Sequence, residues 1–500
     1  MLYQSTRGDE SRVSSAEAIA HGLSGDGGLF VPEFFPELSL ETIESLTIMP
    51  YSKRAAFIMS LFLTDFSIEE LTGYSSAAYS AQRENGFSNS EIAPLFKINS
   101  NTRFLELWHG PTCAFKDMAL QILPHLLTAS LSKNGDKREI CILVATSGDT
   151  GKAALEGFCD IAGTKIMVFY PRDGVSEVQK IQMTSQTGSN VNVVAVEGNF
   201  DDAQTGVKAI FSNEALKETL GGSGFTLSSA NSINWGRLVP QIVYYISSYC
   251  DLCKNGEIRL GDKINFCVPT GNFGNILAAY YAEKMGLPVN KLICASNRND
   301  VLTQFINTGL YDKNRPFFTT VSPSMDILVS SNLERLLFEL SGRDGCAVAS
   351  YMAALSEEGK YIVPDTMHAG LCRIFHSGFC SEEDTMKTIK DTYESNGYLI
   401  DTHTAVAYKV LNDYRHATGD EKVSVVVSTA SPFKFCEAVL EALGHDYSNK
   451  GAILLDTLSE VTGCAVPKPL IDLKYAATRF NDSVSISAMN AAVIDFIGRR

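Results

Sequence analysis

The feature that most constrains this chain is a recurring unit: a short β-branched run, a turn, then a helix-like segment. Ile140–Ala145 reads as a strand, Thr146–Gly151 as a loop and Lys152–Phe158 as a helix. Lys165–Tyr170 is a strand closed by Pro171, and Val191–Val196 is a strand followed by an acidic turn at Asn199-Phe200-Asp201-Asp202 and a helix from about Ala203. Ile264–Val268 leads through a glycine-rich loop into a helix over Ile276–Met285, and Lys291–Ser296 and Lys422–Val427 read as further strands. These runs are apolar throughout instead of alternating, so both of their faces must be covered. Parallel sheets flanked by helices, an α/β fold, satisfy that need.

The first hundred or so residues break the pattern. They carry helical stretches at Thr42–Thr47, Ser52–Phe62 and Glu69–Leu71 and a turn at Gly25-Asp26-Gly27-Gly28, which predicts a separate, mostly helical N-terminal segment. Residues 326–397 are again helical and charged, as an insertion in the α/β body would be. A length of 500 residues allows roughly three domains. The expected division is 1–96 as the N-terminal segment, 141–215 as a small α/β lobe, and 97–140 with 216–500 as a large lobe.

Charge and composition exclude several function classes. Asp and Glu exceed Lys and Arg to give a net charge of −15, which disfavours nucleic acid and anionic membranes as partners. No apolar run approaches the roughly 18 residues of a membrane helix. The start, Met1-Leu2-Tyr3-Gln4-Ser5-Thr6-Arg7-Gly8, lacks the pattern of a secretory signal, so the 12 cysteines are expected as free thiols in the cytoplasm. Cys250-x-x-Cys253 has no second pair beside it. His368, Cys372, His376 and Cys380 recur every four residues, but on one helix the ends would lie about 18 Å apart, and Gly370 and Gly378 interrupt it. No metal site is expected.

Lys116 is the candidate for chemistry. Phe104–Trp108 reads as a strand, His109-Gly110-Pro111-Thr112 as a turn, and a helix is expected from near Lys116 to about Leu131, kinked at Pro124. A lysine at a helix start, between Phe115 and Met118, is disfavoured as an ammonium by burial and by the positive helix end. That leaves a nucleophilic amine. Asp117 would partly offset this if its carboxylate turned toward the amine, and a solvated Lys–Asp pair fits the same residues.

Two strand–loop–helix junctions suit anions. Gly271-Asn272-Phe273-Gly274 lets the backbone approach a phosphate at a helix start. The loop lacks the Lys-Ser/Thr of a nucleotide triphosphate site and the G-x-G-x-x-G of a dinucleotide site, so a fixed phosphate fits better than a transferred one. Ser147-Gly148-Asp149-Thr150 offers hydroxyls and N–H groups to a carboxylate or a second phosphate. A tight turn and an ordinary helix cap fit these two loops as well. A buried lysine beside two anion cradles points to a Schiff base, a phosphorylated cofactor and an anionic substrate, and pyridoxal 5'-phosphate meets all three needs.

At these residues the sequence resembles the threonine synthases, fold-type-II pyridoxal-phosphate enzymes. The matching motifs are His109-Gly110-Pro111-Thr112 with Ala114-Phe115-Lys116-Asp117, Ala145–Gly151, Asn231-Ser232-Ile233-Asn234-Trp235-Gly236-Arg237, and Pro269–Gly274. Tyr3–Gly8, Asp26–Pro32, Asp401-Thr402-His403-Thr404-Ala405 and Ser428-Thr429-Ala430 match as well, collinearly over nearly the whole chain. The length and the helical region resemble the longer fungal and bacterial members.

The resemblance implies a fold of the tryptophan-synthase-β type with two parallel-sheet lobes. It implies that Lys116 carries the cofactor, that Gly271, Asn272, Phe273 and Gly274 bind its phosphate, and that Thr429 meets its pyridine nitrogen. It further implies that Ser147, Gly148, Asp149 and Thr150 hold the substrate carboxylate, with Asn234 and Arg237 nearby. The implied reaction turns O-phospho-L-homoserine and water into L-threonine and phosphate, in a monomer or homodimer. The alternative is a phospho-lyase that releases 2-oxobutyrate from phosphohomoserine or phosphothreonine. His109 and His403 fit acid–base roles and, better, positioning roles in the loops. Three positions depart from the family pattern: Thr402 for a usual proline, Ser431 for a frequent histidine, and Lys152 for a small residue.

Overall fold

Two parallel sheets organise the chain in the computed structural model, which describes residues 1–82, 86–146, 148–172 and 175–498. The larger has six strands in the spatial order Phe375–Phe379, Val289–Ser296, Ile264–Pro269, Ser424–Ser428, Thr102–Glu106, Leu95–Lys97. All neighbours are parallel except the last pair. The smaller has five strands, Ser483–Val484, Val191–Val196, Thr164–Pro171, Glu139–Ala145 and Phe225–Ser228, all parallel. Every residue of the central strands Ile264–Pro269, Ser424–Ser428 and Thr102–Glu106 is buried, as two-sided cover requires.

Several expectations shift at element edges. The acidic residues after Val196 open a helix, Phe200–Phe211, in which Asn199 caps the start and Asp202 closes a capping box. The segment 326–397 is helical for most of its length, but it also supplies Phe375–Phe379, an edge strand of the main sheet. That strand has no β-branched residue and contains Gly378, so its period was hidden. The small sheet draws on Phe225–Ser228 and Ser483–Val484, outside the expected 141–215 segment.

The N-terminal residues pair Tyr3–Ser5 with Phe30–Pro32 and add four helices, Ser15–His21, Leu40–Leu46, Tyr51–Phe62 and Ile68–Ala78. They own no separate core. Trp235 is packed by Tyr3 and Phe62, with ring centroids 5.3 and 5.7 Å away, and one apolar cluster continues from them into strands of both sheets. Arg335, fully buried, donates to Phe30 O, Ile233 O and Asn332 Oδ1 and so ties the N-terminal strand to the loops of the larger lobe. Among the described residues, no helix is long and apolar enough to cross a membrane.

Candidate active site

Three adjacent strands of the large sheet end at one edge, where open α/β sheets place ligands. Thr102–Glu106 leads to the Lys116 loop, Ser424–Ser428 to Thr429, and Ile264–Pro269 to the glycine loop. Backbone bonds zip the first two together: Phe115 N donates to Thr429 O at 2.7 Å and Leu107 N to Ser428 O at 3.0 Å. From the small sheet, Glu139–Ala145 delivers Thr146 and Asp149 to the same space. The result is a cavity of about 1180 Å³ lined by Lys116, Asp149, Thr150, Asn234, Arg237, Gly271–Asn275, His403 and Thr429, among others.

The expected single helix from Lys116 is two, Asp117–Leu120 and Leu123–Lys133. Pro124 lacks an N–H and sits in the first turn of the second, where no donor is needed, so the chain breaks at Gln121-Ile122 instead of kinking. Lys116 is 7% exposed. Its Nζ lies 3.0 Å from Ser324 Oγ and 3.3 Å from Asp149 Oδ2. Burial lowers the amine's pKa, Asp149 opposes this, and Arg237 and Lys434 add to the lowering. Asp117 is not the offsetting carboxylate. It turns back to accept from Thr112 N and Oγ1, both at 2.8 Å, and burial pushes it up to about 7 against those bonds.

Asp149 is the buried anion of the site. Its carboxylate meets Lys434 Nζ at 2.9 Å and Gln179 Nε2 at 2.7 Å as well as Lys116. Burial pulls its pKa upward, but Lys434 and Lys116 outweigh that and hold it well below the usual range. Arg237 is the opposite case. Burial alone lowers its guanidinium to about 10, it donates to Ala230 O at 2.8 Å, and among the described residues no carboxylate pairs with it. A buried cation on a cavity wall without a counter-ion is stabilised by any anion that enters.

The glycine loop fits a phosphate group. Ser330 Oγ holds Gly271 O, and Asn332 holds Asn272 O through both its backbone N and its side chain, which occupies the loop's acceptors. Phe273 has φ +63° and caps the helix Gly274–Lys284, so N–H groups and the positive helix end face the cavity. Behind them Asn275 Oδ1 accepts from Tyr244 and Tyr245 hydroxyls at 2.5 and 2.6 Å, while its buried Nδ2 has no partner among the described residues. Asn275 lines the cavity, and an anion reaching this orphaned donor would satisfy it.

Residues 2–79 match the family described as threonine synthase N terminus, 98–430 the pyridoxal-phosphate dependent enzyme family, and 404–491 the threonine synthase C-terminal family. The threonine synthase of Pseudomonas aeruginosa is 42% identical over 453 residues, 88% of this chain and 90% of its own. The chain belongs to the threonine synthase family.

Solved threonine synthases share its architecture. The pyridoxal-phosphate-bound enzyme from Brucella melitensis has a TM-score of 0.87 at 35% identity, covering all of both chains. The yeast threonine synthase gives 0.87 at 33%, covering 100% of this chain and 99% of its own. The human protein named threonine synthase-like 1 is 42% identical over 448 residues, 87% of this chain but 59% of its own length.

Of the expected site residues, Lys116, Asp149, Thr150, Asn234, Arg237, Gly271, Asn272, Phe273, Gly274 and Thr429 converge on the cavity. Asn234 also caps Trp235–Lys254 and donates to Ile19 O. Gly148 is not among the residues lining the cavity, and a Cβ there would meet Gln179 at 2.5 Å. Ser147 lies outside the described residues. His403 lines the cavity with Nδ1 2.9 Å from Asp401 and Nε2 accepting from Ser324 N, a positioning arrangement. His109 does not line it; its Nε2 sits 2.6 Å from Glu106.

The three departures from the threonine synthase pattern do not enter the cavity. Thr402 opens the helix Thr402–Thr418, the position that tolerates proline without requiring it. Ser431 accepts from Phe433 N, and Lys152 points to Glu156 and Gln186. Cys250 and Cys253 share a helix, and burial raises both thiols, which opposes a redox pair. His368 and Cys372 share the helix Asp365–Ile374, while His376 lies on the edge strand.

Sequence reasoning missed Ser324, Gln179 and Lys434, and gave Asn275 no role of its own. Asn275 directly follows the glycine loop, and Lys434 lies four residues after Ala430, so both flank recognised motifs. Ser324 and Gln179 carry no local signal, because only folding brings them to Lys116 and Asp149.

Proposed function

We propose that this chain converts O-phospho-L-homoserine and water to L-threonine and phosphate. The observation that carries the reading is one cavity holding a lysine with a lowered pKa, an unpaired buried guanidinium and a glycine loop at a helix start. A site so built calls for a carbonyl cofactor with a phosphate and for an anionic substrate.

Lys116, Gly271–Gly274, Asn275 and Thr429 would hold pyridoxal phosphate, which when bound supplies an electron-accepting ring that stabilises negative charge at the substrate's α-carbon. The loop N–H groups and Asn275 Nδ2 bind the cofactor phosphate. Thr429 offers a hydroxyl, not a carboxylate, to the ring nitrogen and so favours its neutral form. Lys116 then acts as the general base, removing the proton from Cα and later from Cβ, and returning protons as phosphate leaves Cγ and water adds at Cβ. A neutral amine near pH 7 is what this needs, and the burial of Lys116 favours it. Arg237 binds an anionic group of the substrate, and the Ser147–Thr150 loop its carboxylate through hydroxyl and N–H groups. We place the enzyme in the cytoplasm, as a monomer or homodimer.

The second reading is a phospho-lyase that releases 2-oxobutyrate from the same substrate. Incubating the purified protein and pyridoxal phosphate with O-phosphohomoserine separates them. Threonine and phosphate in equal amounts support the proposal; 2-oxobutyrate with phosphate overturns it in favour of the second reading.

A further inference from the structure

Lys434 is a buried ammonium that the chemistry above does not use. It ends the short turn Pro432–Lys434 and is fully shielded from solvent. Its Nζ donates to Thr112 O at 2.8 Å and lies 2.9 Å from Asp149 Oδ1. Lys116 Nζ approaches the other oxygen of the same carboxylate at 3.3 Å. Two lysines therefore share one buried carboxylate, whose single negative charge balances only one of them.

The geometry favours Lys434. Its contact to Asp149 is the shorter, and the Thr112 carbonyl accepts a second hydrogen bond that fixes it there. Lys116 faces the repulsion of Arg237 as well as Lys434. Its other polar neighbour, Ser324 Oγ, can donate to a neutral amine as readily as it accepts from an ammonium. The remaining titratable groups nearby are committed elsewhere. Asp117 accepts from Thr112, His403 bridges Asp401 and Ser324, and burial raises the Cys113 thiol to about 12.

We infer that Lys434 is a positioning residue: it neutralises Asp149 and so leaves Lys116 as the free amine that would condense with the cofactor's aldehyde, the carbonyl oxygen leaving as water, and that moves protons. The inference rests on the reading of Lys116 as the cofactor lysine. The sign follows from charge. Without the Lys434 ammonium, Asp149 keeps the neutral Gln179 donor and, among the described residues, Lys116 is the one cation left within ion-pair distance, so Lys116 holds its proton to higher pH. Removing Lys434 and the Asp149 charge together restores the balance.

The test uses cofactor-free protein and pyridoxal phosphate and reads no turnover. The rate of appearance of the bound cofactor's visible band is measured against pH, and the attachment site is mapped after borohydride reduction. Lys434→Met and Lys434→Gln should each raise the midpoint of this profile by about one pH unit or more, a tenfold slower rate at a fixed pH below it. Lys434→Gln keeps a donor for Thr112 O and carries the test if the Met variant does not fold. Asp149→Asn/Lys434→Met should return the midpoint to near the wild-type value, and it decides alone if both single variants unfold. Midpoints unmoved or lowered in the single variants, or a double variant still shifted upward, overturn the inference. A wild-type protein whose cofactor does not map to Lys116 overturns the underlying reading instead.

Discussion

Gly271→Ala tests the glycine loop as the proposed cofactor-phosphate site. A Cβ at Gly271 would lie 2.5 Å from Ser324 O and 3.4 Å from Met325 Cα, both backbone atoms. Neither can yield easily. Ser324 N is tied to His403 Nε2 at 3.2 Å. The adjoining Asp326 carboxylate accepts from Thr320 Oγ1 and Asn297 Nδ2, both at 2.7 Å, and from Asn299 Nδ2 at 3.0 Å. Gly271 does not have a positive φ, so the expected cost is steric overpacking, about 1–3 kcal/mol. If it falls wholly on cofactor binding, Kd rises by roughly 5- to 150-fold at about 1.4 kcal/mol per decade. Titrating cofactor-free protein with pyridoxal phosphate, followed by the visible band, measures this directly. Gly73→Ala is the control, because a Cβ in the exposed helix Ile68–Ala78 meets nothing within 4 Å. It should stabilise by about 0.5–1 kcal/mol and leave Kd unchanged. An unchanged Kd together with an unchanged melting temperature in Gly271→Ala would refute the reasoning.

Asp117→Asn probes a buried carboxyl raised from its ordinary 3.8 to about 7. In the wild type this group's contribution to stability is full below about pH 4 and is lost as pH rises through 7, because the folded state resists its ionisation. Denaturant titrations should therefore show the variant gaining stability relative to wild type between pH 4 and 7; a constant difference contradicts the assignment. Arg335→Met strands Phe30 O, Ile233 O and Asn332 Oδ1 at once, and at about 1–3 kcal/mol for each unsatisfied group it should cost at least 3 kcal/mol. A loss under 1 kcal/mol by urea unfolding would mean that water replaces all three bonds. Thr429→Asp should shift the cofactor's absorbance maximum and lower kcat, and an unchanged spectrum and rate would move Thr429 away from the ring.

The α/β class, the buried lysine at the cavity and the two strand–loop–helix junctions beside it were legible because each is local. Strand runs such as Ile140–Ala145 and loops such as Gly271–Gly274 encode their geometry in consecutive residues. What could not be read was the partner of each charge. Asp117 is adjacent to Lys116 in sequence, yet its carboxylate turns to Thr112; Asp149, 33 residues away, holds the amine instead. Likewise Phe375–Phe379 joins the main sheet through register with Val289–Ser296, not through its own composition. Sequence by itself determined which chemical groups exist and which local turns display them, because backbone conformation and residue chemistry act over a few residues. Only the tertiary structure decided which ammonium Asp149 meets, whether Arg237 has a counter-ion and where Ser324 lies. Those depend on strands far apart in the chain ending at one edge, and burial there turns ordinary lysines and carboxylates into groups with shifted pKa values.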